Sequence, residues 1–180
     1  RHIGEAAALG RDNYAALAAT RRQLRLVCRA VRVDAALLDP LRPPDVLVYI
    51  GHMAEAGGTI RGNPAEAVSG QIRDFMAKRR FAAAYGALAC GSDVLFAEAC
   101  LARGIPLYVV LPFPDSEFVT ASVRRGGEDW VRRFAECRAK AERTVYATED
   151  SYLGDDSLFS YGTRFAMGLA VLRARQLDAE

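Results

Sequence analysis

Apolar residues fall into two patterns along this chain. Short continuous runs, "DVLVYIGH" (45–52), "FAAAYGAL" (81–88), "IPLYVVLPF" (105–113) and the briefer "TVYAT" (144–148), are rich in β-branched and aromatic residues. Runs of this kind read as strands buried on both faces. Between them apolar positions recur every three or four residues, the spacing of one helical face. Helices are predicted over 12–33, 63–80, 93–103, 128–143 and 156–176, with a shorter one near 115–122. In the first helix Leu17, Leu24, Cys28 and Val31 form one stripe. Arg22, Arg25, Arg29 and Arg32 form another, read most simply as a solvated face. In the second, Val68, Ile72, Phe75 and Met76 are expected to point inward; in the helix over 128–143, Trp130, Val131, Phe134 and Cys137 share a side.

The ends of these elements carry their own signals. Asp12 stands where it can cap the first helix, and Asn63, Pro64 and Glu66 supply a cap, a first-turn proline and a capping-box glutamate. Ser92 is placed to cap the helix opening at Asp93, and Gly104 to end it in the left-handed conformation. Strands alternating with helices define an α/β class. The expected fold is a Rossmann-like parallel sheet of at least four strands with helices on both faces, preceded by an N-terminal helical segment. The three prolines of "LLDPLRPPD" divide the chain into a helical segment, 1–41, and an α/β domain, 42–180. Ligands of such sheets sit at the carboxyl ends of strands, where the strand order reverses. Three loops answer that description, Gly51–Gly62, Gly86–Ser92 and Pro112–Asp115, each rich in glycine or proline. A ligand crevice is predicted where they meet.

Composition narrows the partners. The chain has 180 residues, 51% hydrophobic and 26% charged, as in a soluble globular protein. A formal charge of +2 is too near balance for a dedicated nucleic-acid binder, and "RRGGEDWVRR" (124–133) mixes acids among its arginines. No apolar run approaches the length of a membrane span. Cys28, Cys90, Cys100 and Cys137 show no C-x-x-C spacing, and the histidines are only His2 and His52, so no metal site is expected. Unpaired cysteines in apolar patterns fit small buried hydrophobes in a reducing cytoplasm. So few histidines also leave no Ser/His/Asp or Cys/His arrangement to assemble.

The loop after the second strand carries the first candidate chemistry. Gly86 and Gly91 let backbone N–H groups approach an anion, and the helix start adds unpaired donors. Ser92 can cap that helix or donate to a phosphate. Asp93 complements the helix dipole but repels a phosphate placed directly there. The expectation is a phosphate on the Gly86–Gly91 backbone and a ribose hydroxyl at Asp93; the alternative is that Asp93 only stabilises its helix.

The same stretch, "GALACGSDVLFAEACLARGIPLYVVLP" (86–112), resembles the glycine-rich loop, helix and strand of the SLOG superfamily. That superfamily takes in Smf-type DNA-processing proteins, the lonely-guy phosphoribohydrolases and many nucleotide-sensing domains. The resemblance spans Asp45 to Leu177. Four segments, "YIGHM", "GSDVLFAEA", "LPFPDSEFVTASV" and "YLGDDSLFSYGTRFAMGLAVLRARQL", resemble most closely the version that follows tetratricopeptide repeats in bacterial signalling and defence effectors. It implies a domain that senses a nucleotide-derived messenger, such as a cyclic ADP-ribose isomer, and regulates an effector domain in the same longer chain. Residues 1–41 would then end a tetratricopeptide array. No cofactor is implied, and self-association is left open.

With a nucleotide in view, further candidates follow. His52 would lie near the base or ribose, and Arg61 near a phosphate unless it is a solvated loop residue. Tyr152 could stack on an adenine, with Gly154 at the turn and Asp155 at the exocyclic amine or a ribose; a buried tyrosine and a helix cap are the alternatives. Phe118 and Ser122 would face the ligand if the segment after the third strand folds over it. The competing reading is N-riboside hydrolysis. Catalytic members of the superfamily carry Pro-Gly-Gly-x-Gly-Thr-x-x-Glu, which this chain lacks. Glu98, five residues beyond Asp93, is rotated away from the first helical turn and reads as a surface or interface residue. Glu55 is the other candidate carboxylate. The expectation is a binding domain without catalysis of its own.

Overall fold

The structure is a computed structural model that describes residues 13–55 and 58–179. They divide into two compact units, one of the described residues up to Val46 with those from Val171 on, the other of those between Leu47 and Ala170. In the first unit, helix α1 (Tyr14–Val31) is capped by Asn13, whose Oδ1 accepts the Ala16 N–H at 3.0 Å. Asp12, the expected cap, lies outside the described residues. Leu17 and Cys28 are buried as the stripe predicts, but Val31, in the last turn before left-handed Arg32, stays exposed. The proline-rich break is itself ordered as a 3-10 helix, Ala35–Leu41, which lays Leu38 and Leu41 on Leu17 and Cys28 as a small separate core.

The arginine stripe is only partly solvated. Arg21 and Arg25 both bind the Asp178 carboxylate, and Arg22 donates to the Gln176 carbonyl at 2.9 Å. Three cations thus gather at the carboxyl end of the final helix, where the helix dipole favours them.

Along the chain next come β1 (Asp45–Val48), β2 (Thr59–Ile60), β3 (Asn63–Pro64), α2 (Ala65–Ala77), β4 (Phe81–Gly86), α3 (Ser92–Ala102) and β5 (Leu107–Leu111). Then come α4 (Asp115–Phe118), a π-helical turn (Val119–Val123), a 3-10 turn (Arg124–Gly126), α5 (Glu128–Lys140), β6 (Arg143–Tyr146) and α6 (Ser157–Leu177). Among the described residues the parallel sheet has four strands in the order β1-β4-β5-β6. Tyr85 stands opposite Tyr108, and Val110 opposite Val145.

That order simply follows the chain. The expected reversal of strand order is absent among the described strands, and the ligand crevice cannot be placed by it. Because successive crossovers run the same way across the sheet, α2, α3 and α5 stack in one layer, α2 on α3 and α3 on α5. Side chains alternate along β5. Leu107, Val109 and Leu111 join the core with Val94, Trp130 and Phe134, while Val110 turns the other way, toward Phe159, Gly162 and Ala166 of α6. Helices therefore cover both faces, as expected for the α/β class.

Three local expectations change. Over 59–64, at the end of the expected loop, β2 and β3 pair as an antiparallel hairpin whose turn residues, Arg61 (φ 50°) and Gly62 (φ 75°), are both left-handed, as a two-residue hairpin turn requires. Asn63 is consequently a strand residue and no helix cap; its side chain donates to the Arg61 carbonyl at 3.2 Å, and α2 starts after Pro64. Phe75 is half exposed rather than inward, stacked on Phe81 with Arg79 over its ring. Ser92 lies inside the first turn of α3, with Gly91 (φ 108°) as the cap residue and no side-chain capping bond. Gly104 ends that segment left-handed (φ 65°), as predicted.

Candidate ligand cavity

A cavity of about 460 Å³ opens in the larger unit at the carboxyl ends of β1, β4 and β5. That volume falls in the range of small-molecule sites. The end of β1 contributes Tyr49, Ile50 and Gly51, and the end of β4 contributes Gly86, Ala87 and Ala89. Asp93 comes from the first turn of α3, Phe118, Ser122 and Arg125 from the segment after β5, and Tyr152, Asp156 and Thr163 from the start of α6 and the chain before it.

Glycine makes the close packing of this edge feasible. A Cβ at Gly86 would stand 2.3 Å from Tyr49 Cε2, so the Tyr49 ring lies directly on the β4 backbone. A Cβ at Gly51 would stand 2.3 Å from Ser92 Cβ and 2.8 Å from Asp93 Oδ1, so the end of β1 presses against the start of α3. Gly91 meets the backbone of His52 to Ala54 in the same way. The Ala54 N–H donates to the Cys90 carbonyl at 2.9 Å, the Ser92 N–H to the His52 carbonyl at 3.0 Å, and the Cys90 N–H to the Ser122 carbonyl at 2.9 Å. Two amides of the Gly86–Ser92 loop, those of Cys90 and Ser92, are thus engaged with the neighbouring loops.

Electrostatics in the cavity centre on Asp93. Its side chain is buried (8% exposed), and Oδ1 has no hydrogen-bond partner among the described residues. Burial pushes its pKa up from 3.8 to about 6, against the backbone N–H groups of Gly51 and Ala89, which pull it down. Tyr49 is raised well above the usual phenol value, by burial first and then by the Asp93 charge. Its ring stacks on Phe96 at 5.5 Å, and its hydroxyl also lacks a partner. Arg125 adds a guanidinium to the same lining. Neighbouring Arg124 pairs with Glu128, but Arg125 forms no ion pair among the described residues.

Of the residues singled out in the sequence, Gly51, Gly86, Asp93, Phe118, Ser122 and Tyr152 share this cavity. Tyr152 stacks on Phe113 at 4.6 Å, which covers one ring face, and its hydroxyl donates to Asp156 at 2.6 Å. Asp155 instead caps α6, accepting the Ser157 N–H at 2.9 Å, after a turn at Gly154 (φ 92°). His52, Gly91, Ser92 and Arg61 do not line the cavity: Gly91 and Ser92 pack in the loop contacts above, His52 joins them through its carbonyl and is otherwise exposed, and Arg61 is at the hairpin turn. Glu55 accepts from the Thr59 hydroxyl at 3.1 Å within the same hairpin. Glu98 is gripped by two of the three guanidinium nitrogens of Arg133 at 2.7 and 2.6 Å, and Arg133 lies over Trp130, so Glu98 joins α3 to α5 away from the cavity.

Sequence reasoning missed Tyr49, Arg125 and Asp156. Tyr49 was hidden inside an apolar run, and the direction of Arg125 is set by the π-helical turn before it, for which the sequence carries no periodic signal. Among the described residues no three His, Cys, Asp or Glu are grouped to hold a metal ion. No described helix is long and apolar enough to cross a membrane.

Fold and cavity together define an α/β domain with a ligand-sized site at the carboxyl edge of its sheet. No family model matches the chain, and comparison with curated proteins finds no match.

Proposed function

We propose that this chain is a sensor domain for a nucleotide-derived second messenger, of the cyclic ADP-ribose type, that regulates an attached effector domain in bacterial signalling or antiviral defence. The observation that carries the binding reading is the placement of Asp93 and Arg125 on one cavity wall system. A buried carboxylate takes hydroxyl or amine donors, and an unpaired guanidinium takes a phosphate through two parallel bonds. Ile50, Met53 and Tyr152 offer apolar surface for a base. Because the Asp93 carboxyl lies beside the glycine loop and the Cys90 amide is engaged, this reading places the phosphate at Arg125 rather than on the Gly86–Gly91 backbone. The messenger class and the effector rest on the SLOG resemblance.

Hydrolysis of an N-riboside is the second reading, and one feature favours it. A carboxyl with a pKa of about 6 inside a cavity is poised to exchange a proton near neutral pH. Native mass spectrometry and calorimetry against a nucleotide panel, with long incubation, separate the two. A ligand bound and recovered intact supports the sensor. A released base supports the hydrolase, with activity abolished in Asp93→Asn. Absence of binding at millimolar nucleotide overturns both.

A further inference from the structure

Most buried polar groups in proteins are hydrogen-bonded, and one left without a partner lowers stability. Two residues that line this cavity each carry such an atom, the Tyr49 hydroxyl and Asp93 Oδ1, although the backbone N–H groups of Gly51 and Ala89 also act on the Asp93 carboxyl. Tyr49 is 3% exposed and Asp93 8%. They do not bond each other. Neither is explained by packing alone, since a phenylalanine would keep the stack on Phe96 and an exposed carboxylate would serve the helix dipole. Each is also accommodated by a missing Cβ, Gly86 under the Tyr49 ring and Gly51 beside Asp93 Oδ1. The phenol can donate and the carboxylate can accept, and a group that fits both must do the converse.

We infer that Tyr49 and Asp93 form a specificity subsite for one neutral ligand group that accepts from Tyr49 and donates to Asp93, and the assignment rests on the nucleotide reading above. A phosphate cannot donate to Asp93 and is repelled by it. An aliphatic ammonium cannot accept from Tyr49. In a nucleotide the required chemistry belongs to a ribose hydroxyl or to the amide or amidine edge of the base. Sites built to bond such a group discriminate strongly against analogues lacking it, because their own polar atoms are then left unpaired.

The test compares the wild type with Tyr49→Phe and Asp93→Asn by calorimetry against ADP, 2′-deoxy-ADP, 3′-deoxy-ADP and inosine diphosphate, together with the Tm of the unliganded proteins. Tyr49→Phe removes only an unsatisfied hydroxyl, so its unliganded Tm should rise by roughly 2–4 °C while its ADP affinity falls about tenfold or more. Asp93→Asn should lose affinity similarly, and the double variant should lose less than the two effects combined, since both bond one group. Affinity lost on removing a ribose hydroxyl assigns the subsite to the sugar; affinity lost only with inosine assigns it to the base. Equal ADP affinity of Tyr49→Phe and wild type overturns the subsite while leaving the nucleotide reading intact. If the wild type binds neither these four nor any member of the nucleotide panel above, the nucleotide reading falls and the subsite with it. A lowered unliganded Tm in Tyr49→Phe also overturns the subsite, since the hydroxyl then has a structural partner.

Discussion

A carboxylate in the first turn of a helix ordinarily gains from the helix dipole. At Asp93 burial outweighs that gain, and the pKa rises from 3.8 to about 6. The folded state therefore holds a proton that the unfolded chain has already released. Stability falls as pH climbs from about 4 to 6 and levels off above that window. At 1.36 kcal/mol per unit, the shift is on the order of 3 kcal/mol. In urea titrations across the window, the wild type should lose stability relative to Asp93→Asn as pH rises, and parallel profiles would mean that the carboxyl is solvated. Glu98 offers the contrast. Its pair with Arg133 is partly exposed, so solvent screens it, and Glu98→Gln should cost only about 0.5–1 kcal/mol. Nucleotide affinity should be unchanged in that variant, and a drop in affinity would return Glu98 to the candidate site.

Elements meet at this edge through glycine, which makes the contact of β4 with the end of β1 testable. A Cβ at Gly86 would overlap three atoms of the Tyr49 ring, the nearest at 2.3 Å. Gly86→Ala should cost roughly 1–3 kcal/mol as overpacking, seen as a lower urea midpoint with an unchanged slope. An unchanged midpoint would mean that the ring swings aside freely. The strands were legible in the sequence because continuous apolar runs report burial on both faces, and their ends overshot because Tyr49, Ile50 and Gly51 leave β1 to line the cavity. The cavity edge was legible too, since loops that follow parallel strands gather at one side of a sheet. That is why Gly51, Gly86, Asp93, Phe118, Ser122 and Tyr152 could be named together. Arg61 could not be placed, because two left-handed residues build a hairpin turn that leaves almost no periodic trace. Arg125 was hidden for a related reason. A π-helical turn shifts the facing of every later side chain, and only the fold reveals it.

At the scale of the larger unit, strand order decides where a ligand can sit. Strands that follow one another in sequence stack α2, α3 and α5 in one layer and leave the Val110 side of the sheet to α6. The cavity lies where α6 meets three strand ends, so a ligand filling it would contact segments from Tyr49 to Ala166. The segment after β5 is held over it by side chains. Tyr146 donates to Asp115 at 2.8 Å, and the Tyr152 N–H donates to the Glu117 carboxylate. A ligand joining so many elements binds only the folded chain and should stabilise it by mass action, by about 2.7 kcal/mol at a hundredfold excess over Kd. For a domain of this size that is a rise in Tm of roughly 5–11 °C. Arg125 separates binding from folding in this measurement. It is exposed and forms no ion pair among the described residues, so Arg125→Ala should leave the unliganded Tm within the small range of surface substitutions. If Arg125 holds the phosphate, the same variant should need about tenfold more nucleotide to reach the same shift. Thermal scans over a nucleotide titration read both quantities at once. An unaltered titration would remove Arg125 from the site, and a lowered unliganded Tm would make it a structural residue of the cavity wall.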